Sequence, residues 1–407
     1  MVTLADIEAA QRRIAGGVAV TPCPESIPLS ELCGAVIHCK LDYLQRTGNF
    51  KERGARNALL LLTPELRSRG VIAASAGNHA LGLAYHGRLL GIPVTVVMSL
   101  TAPLIKVSTC RRLGARVIQH GNSLREARAH ADQIAERERL TYVHGYDDPA
   151  VIAGQGTLGL EILEQVPNVD AIIVPVGGAG LLAGVAVAVK ARRPEVKIYG
   201  VEPANAACFT AALAQGKPTR VEVRPTLADG LAVECVGDLA FSLAKSRIDG
   251  VVTVDEQLLT LAVFRLLELE KSVVEGAAAA PLAALMTNQL PELRGKHVVL
   301  VLAGGNIDLT ILDRIIEVGL VNDGRLCRFT AVISDRPGGL ATLASVIAST
   351  GASIKDIAHD RTFAGSDVSR VQVTCVAETS DHDHIVRLLR TVREAGIEIV
   401  AENPTPN

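Results

Sequence analysis

The sequence has no Trp, only six Phe and five Tyr, and no excess of either charge: 41 basic side chains stand against 43 acidic ones in 407 residues. Without a basic excess or aromatic platforms on which bases could stack, a nucleic-acid binder is not expected. No apolar run nears the roughly 18 residues that suggest a membrane span; Leu181–Val189 is far too short. The first residues, Met-Val-Thr-Leu-Ala-Asp-Ile-Glu, carry no basic region followed by an apolar stretch, so a secretory signal is not expected either. The eight Cys, at 23, 33, 39, 110, 208, 235, 327 and 375, include no CxxC pair, which argues against a zinc site and for reduced, buried thiols. The expectation is a soluble cytoplasmic protein.

What is present is small and aliphatic. The chain is 48% apolar, mostly Ala, Val, Leu and Ile, and has 36 Gly. This is the composition of a parallel sheet buried between helices. After a helical segment Leu4–Ala15 and a Pro-rich connection Thr21–Leu29, short β-branched runs alternate with amphipathic segments. Strands are expected at Val36–Leu41, Gly70–Ala74, Val94–Val97, Arg116–Gln119, Ala171–Val176, Lys197–Val201, Val251–Val254 and His297–Leu302, with helices such as Ala80–Leu90 and Leu104–Leu113 between them. That alternation implies βαβ units. The pattern changes after about residue 320. A polar linker Val321–Arg325 leads into a βαββαβ order: Cys327–Ser334, Gly339–Thr350, Ser353–Arg361, Ser369–Ala377, His382–Ala395 and Glu398–Ala401. Asp381-His-Asp-His384 opens one of those helices and reads as a solvated first turn rather than a metal site; no metal is expected.

Four glycine-bearing loops carry the chemistry. Val176-Gly-Gly-Ala-Gly-Leu-Leu-Ala-Gly184 follows a strand and opens a helix, where backbone N–H groups and the helix dipole suit an anion. Gly178–Ala183 also fits GxGxxA, and Glu202 lies where a ribose-binding acid would sit, so a dinucleotide, another phosphate or a plain structural turn all remain open. Thr47-Gly-Asn-Phe-Lys-Glu-Arg-Gly-Ala55 places Lys51 at a helix start, where the dipole favours the neutral amine; a solvated surface lysine is the alternative. Ala74-Ser-Ala-Gly-Asn-His79 could grip a carboxylate or simply cap a helix. Val301-Leu-Ala-Gly-Gly-Asn-Ile307 is the fourth. Loops at the carboxyl ends of parallel strands converge on one crevice.

Together these residues resemble the pyridoxal-phosphate-dependent threonine/serine dehydratase family, with its tryptophan-synthase β-like fold. The resemblance implies an α/β catalytic domain over residues 1–320, two subdomains with parallel or mixed sheets, the smaller (about 46–145) inserted in the larger. It makes Lys51 the Schiff-base lysine, with Phe50 near the ring and Asn78 near the ring's phenolic oxygen. Gly177, Gly178, Ala179, Gly180 and Leu181 become the phosphate cup, and Ser75, Asn78 and His79 the binders of the substrate carboxylate. Residues 325–407 resemble an ACT domain, an amino-acid-sensing module, with Asp335, Pro337, Gly338, Gly339 and Leu340 as its ligand loop. The implied activity is β-elimination of L-threonine to 2-oxobutanoate and ammonia, or of L-serine to pyruvate. Control by an amino acid such as isoleucine or valine and a homodimer or homotetramer are also implied. Asp229 and Glu275 fall in segments resembling parts that line the family's site.

Three positions depart from the pattern. Ala303 stands where the family has a Ser or Cys facing the pyridine nitrogen, and it cannot donate that bond. Ala76 replaces the Ser that serves racemases on the second substrate face, which favours elimination over racemisation. Cys208 replaces an Asp in Glu202–Cys208, a segment resembling the racemases' divalent-metal site, and hard cations prefer carboxylates. The alternatives are a 3-hydroxyaspartate dehydratase, a serine racemase, or a non-catalytic amino-acid sensor.

Overall fold

The structure, a computed structural model, describes residues 1–102, 104–287, 289–361 and 369–402. The chain divides into two compact units, Met1–Ile307 and Asp308–Asn407.

The first unit is built on two sheets. The larger runs in the order Glu25–Ser26, Val36–Lys40, His297–Val301, Ala171–Pro175, Lys197–Pro203, Gly250–Val254, parallel throughout except for its first short strand. The smaller is wholly parallel: Arg116–Gln119, Val94–Met98, Val71–Ala74, Thr141–Tyr142. The central strands have no polar face, as burial between helices demands: all five residues of Ala171–Pro175 and of Val94–Met98 are buried. The expected strands are found, with ends shifted by a residue or two. Gly70, expected inside one, instead caps the preceding helix at φ +97°. Glu25–Ser26 and Thr141–Tyr142 are two-residue strands too short to leave a pattern in the sequence.

Side-chain acceptors fix the start of two helices beside the crevice. Asn49 Oδ1 accepts the Lys51 backbone N–H at 2.9 Å, starting helix Lys51–Leu61, whose Ala55, Ala58 and Leu59 face the core. Asp148 accepts from Ala150 and Val151, with Pro149 at the first position of helix Pro149–Gln165. Helix Lys51–Leu61 is pinned from beneath by charge. Arg53, with no exposed surface, meets Asp42 at 2.7 and 2.8 Å and Glu161 at 2.6 and 2.8 Å, and Lys40 meets Glu161 at 2.6 Å. Burial pushes Asp42 up, but the Arg53 guanidinium and then Lys40 and Thr21 hold it below the usual carboxylate range.

In the second unit, strands Leu326–Ser334, Ser353–Asp360, Arg370–Glu378 and Glu398–Glu402 form an antiparallel sheet, spatially second-to-third-to-first-to-fourth. With helices Gly339–Ser349 and His382–Glu394 the order is βαββαβ, as the sequence implies. Phe329, Leu343, Ile347, Val373 and Leu388 make its core. The expected linker is shorter than 321–325: helix Leu309–Asn322, capped by Asp308 and burying Leu312 and Ile315, runs through Val321 and Asn322. In the Asp381–His384 segment, Asp381 Oδ1 accepts the His384 N–H at 2.8 Å as a helix cap, while the two imidazoles bond backbone carbonyls of Asn322 and Thr350. Among the described residues no helix is long and apolar enough to cross a membrane.

Candidate active site

A cavity of about 370 Å³ opens where strand ends of both sheets meet. Phe50, Lys51, Ser75, Asn78, His79, Gly177–Leu181 and Ala303 all line it, as do Asp229 and Glu275. Four loops distant in sequence therefore converge, because each follows a strand or precedes a helix at the same edge.

Lys51 projects into this cavity from the first residue of its helix. Its Nζ donates to the Gly145 carbonyl at 2.6 Å and lies 5.1 Å from the Phe50 ring centre. Burial pushes its pKa down to about 8, against the upward pull of the Glu275 carboxylate. The helix dipole was the sequence-level reason to expect a neutral amine; desolvation is the larger cause here.

The glycine cup is shaped by contact. Ala179 sits in the left-handed region at φ +69°, turning the chain so that helix Gly180–Arg192 starts at the cavity wall. Gly178 packs against the Tyr146 ring, where an added Cβ would stand 2.2 Å away. The dinucleotide alternative loses its acid. Glu202 accepts the Phe209 and Thr210 N–H groups at 2.6 and 2.8 Å and the Thr210 hydroxyl at 2.8 Å, capping a helix instead of facing the cup. Cys208 Sγ donates to the Gly177 carbonyl at 3.7 Å.

Opposite the cup, Gly77 N–H donates to Ser75 Oγ at 3.2 Å, and helix Asn78–Leu90 points its first-turn N–H groups at the cavity. His79 is buried, and its Nε2 donates to the Val143 carbonyl at 3.0 Å. Burial, then the Lys51 charge, lowers its pKa to about 3, so the ring is neutral and Nδ1 is a bare acceptor; it has no protein partner among the described residues. His144, lowered to about 4 by burial and then by Arg128, accepts the Tyr146 and Asp147 N–H groups through Nδ1. That turn aims the Gly145 carbonyl at Lys51.

Glu275 is the buried carboxyl of the cavity. Burial, then the Asp229 charge, raises its pKa to about 7, against the Lys106 ammonium, the Asn78 amide and the Asn306 N–H. Ala303 lines the wall with no polar side-chain atom, and its carbonyl accepts the Phe50 N–H at 2.9 Å. Sequence reasoning did not single out Gly145, Tyr146, Lys106 or Asn306. Asn306 lay inside a quoted loop, but nothing in the spacing says that its amide reaches Asn78; the other three are placed only by tertiary folding.

In the second unit, Asp335 meets Arg361 at 3.0 Å, Gly338 turns at φ +100°, and Leu340 is two-fifths exposed. Gly339, but not Asp335, Pro337, Gly338 or Leu340, lines a groove of about 430 Å³ with Arg336, Thr342, Ser369 and Arg370.

The cavity fits pyridoxal phosphate on its own features: an amine of lowered pKa, a backbone cup at a helix start, and a buried imidazole nitrogen without a partner. The family described as "Pyridoxal-phosphate dependent enzyme" matches residues 14–304. An L-threonine ammonia-lyase from Thermotoga maritima is 44% identical over 399 residues, 98% of this chain and 99% of its own length. A solved serine racemase from Dictyostelium discoideum superposes with a TM-score of 0.72 at 36% identity, covering 75% of this chain and 99% of the racemase. A threonine deaminase from Solanum lycopersicum gives 0.73 at 35%, covering 77% and 91%.

Proposed function

Because the chain belongs to the pyridoxal-phosphate-dependent enzyme family, we propose that it is an L-threonine ammonia-lyase, converting L-threonine to 2-oxobutanoate and ammonia and acting also on L-serine. The observation that carries the reading is Lys51: an amine brought to about 8 by burial, in a cavity it shares with the glycine turn Gly177–Gly180 and the start of helix Asn78–Leu90. Pyridoxal phosphate, when bound, supplies the electron sink that acidifies the Cα–H of an amino acid joined to it. Lys51 would anchor it and, once displaced by the substrate amine, would take the Cα proton at Nζ. Backbone N–H groups of Gly177–Leu181 hold the phosphate. Ser75 and the backbone N–H groups of Asn78 and His79 hold the substrate carboxylate. The His79 ring, an acceptor at its free nitrogen, sets the shape of that pocket rather than donating to the anion. Phe50 and Ala303, both in the cavity wall, would flank the ring.

Elimination is favoured over racemisation because the cavity wall at Ala76 offers no hydroxyl for a second face. The test is 2-oxo-acid release from L-threonine, L-serine and the 3-hydroxyaspartates, with D-serine formation measured in parallel. L-threonine should be turned over fastest, and Lys51→Ala should lose at least about 10³-fold in kcat. Turnover of none of them, or D-serine as the main product, overturns the reading.

Control by an amino acid such as isoleucine or valine belongs to the same proposal. The groove beside Gly339 presents Arg336 to a carboxylate, next to a helix start. Either effector should shift activity, and Gly338→Val, disfavoured at φ +100°, should remove the response; an unchanged response overturns it. A homodimer or homotetramer is part of the same proposal. A reducing, cytoplasmic setting is supported by eight unpaired thiols.

A further inference from the structure

A chain of side chains runs from Glu275 and Asn78 in the cavity wall to Asn306 behind it, which has no role assigned above. Asn306 Nδ2 donates to the Thr47 carbonyl at 2.9 Å and to Asn78 Oδ1 at 2.8 Å. Asn78 Nδ2 in turn donates to Glu275 Oε1 at 2.8 Å. The ends of the chain are seated on glycines. At Gly48, with φ +75°, an added Cβ would stand 2.7 Å from Asn306 Oδ1, and at Gly304 it would stand 2.2 Å from Glu275 Oε1. Backbone bonds close the frame: Gly305 N–H to the Gly48 carbonyl at 2.8 Å and Glu275 N–H to the Gly304 carbonyl at 3.0 Å.

An amide has two faces that differ only in which atom donates, and solvent would leave Asn78 free to turn over. Here Oδ1 is addressed by a donor and Nδ2 by an acceptor, so one orientation satisfies both neighbours and the other satisfies neither. One N–H of Nδ2 goes to Glu275 and the second is left for the cavity. Thr47 and Gly48 lead directly into the helix of Lys51, so the same relay ties the amide to the lysine.

We propose that Asn306 and Glu275 are positioning residues that lock the Asn78 amide with its donor toward the cofactor, and that this relay sets cofactor affinity. The inference rests on the reading that Asn78 meets the pyridoxal ring. Glu275 acts as an acceptor here, so its charge is dispensable: the carbonyl of a Gln can take its place, whereas an Ala cannot.

The test strips the holoenzyme of its cofactor and titrates pyridoxal phosphate back, reading the dissociation constant and the visible absorption maximum. Asn306→Ala and Glu275→Ala should each weaken affinity about ten-fold and shift the maximum, a loss of about one net hydrogen bond. Glu275→Gln should stay within about two-fold, since the acceptor survives. Asn78→Ala should lose at least as much as Asn306→Ala, and adding Asn306→Ala to it should cost nothing more. Should Asn306→Ala not fold, the isosteric Asn306→Asp, which cannot donate to Asn78, carries the same comparison. If Asn306→Ala weakens binding equally with and without Asn78, the relay alone is overturned. If Asn78→Ala leaves affinity and spectrum unchanged, the reading of the site fails and the relay with it.

Discussion

Lys51 and Arg53, two residues apart on one helix, belong to two sets of charged side chains with opposite fates. Beneath the helix, Arg53, Asp42, Glu161 and Lys40 are buried and close on one another, two cations on two anions, with Thr21, Thr157 and Gln165 taking further bonds. In the cavity, Lys51 and Glu275 are desolvated and have, among the described residues, no direct partner of opposite charge: the amine bonds a carbonyl and the carboxyl an amide. In the first set the pairing with Arg53 and Lys40 holds the Asp42 carboxyl below its usual range. The second is pushed toward neutrality, to about 8 and about 7. Desolvation is common to both; pairing decides whether it yields a clamp or a reactive group.

The comparison breaks most violently where a pair is halved. Asp42→Ala leaves the Arg53 cation with half its partners in the interior and should destabilise the protein by about 3–5 kcal/mol, read as a large drop in melting temperature. Lys51→Ala removes an unpaired desolvated amine and should leave the melting temperature of the apoprotein level or higher. Equal losses from the two would erase the distinction.

A gentler probe uses pH. Glu275 is raised in the fold, so between its ordinary pKa, near 4.5, and about 7 the native state holds a proton that the unfolded chain has released. Stability from this group is therefore full below that window and lost as pH rises through it. Glu275→Gln, which has no charge to bury, should gain on the wild type in apoprotein melting temperature between pH 5 and 8. A constant difference across that range would mean that the carboxylate is not desolvated.

The smallest effect is expected at the mouth, where Lys106 meets Asp229 at 3.0 Å with the carboxylate 60% exposed. Lys106→Ala should change stability by less than about 1 kcal/mol, measured by denaturant titration.

The strand positions along the chain and the four loops were legible because their signals are local. Apolar runs alternate with helical periods, and glycines follow strand ends. The lysine, the cup and the Ser75–His79 segment could be named for the same reason. The clamp was not legible, since nothing around Arg53 distinguishes it from a solvated arginine until residues 42 and 161 fold against it. Nor was the relay: nothing near Asn306 or Glu275 in the sequence shows that their side chains meet Asn78 until the two sheets face each other. Glu202 shows the converse error, a position that fits a ribose-binding acid by spacing yet caps a helix. The linker Val321–Arg325 was misjudged because polar composition at a helix end looks the same as a loop.

The measurement that tests the contrast most directly is the pH dependence of amine reactivity in the apoprotein. Formaldehyde and cyanoborohydride, small enough to enter the cavity, would be applied across pH 6 to 11, with each lysine quantified by mass spectrometry. Lys51 should react with a midpoint at about 8, ahead of the surface lysines, while Lys40, clamped by Glu161, stays unmodified. A Lys51 midpoint equal to that of the exposed lysines, or modification of Lys40 alongside it, would contradict the account.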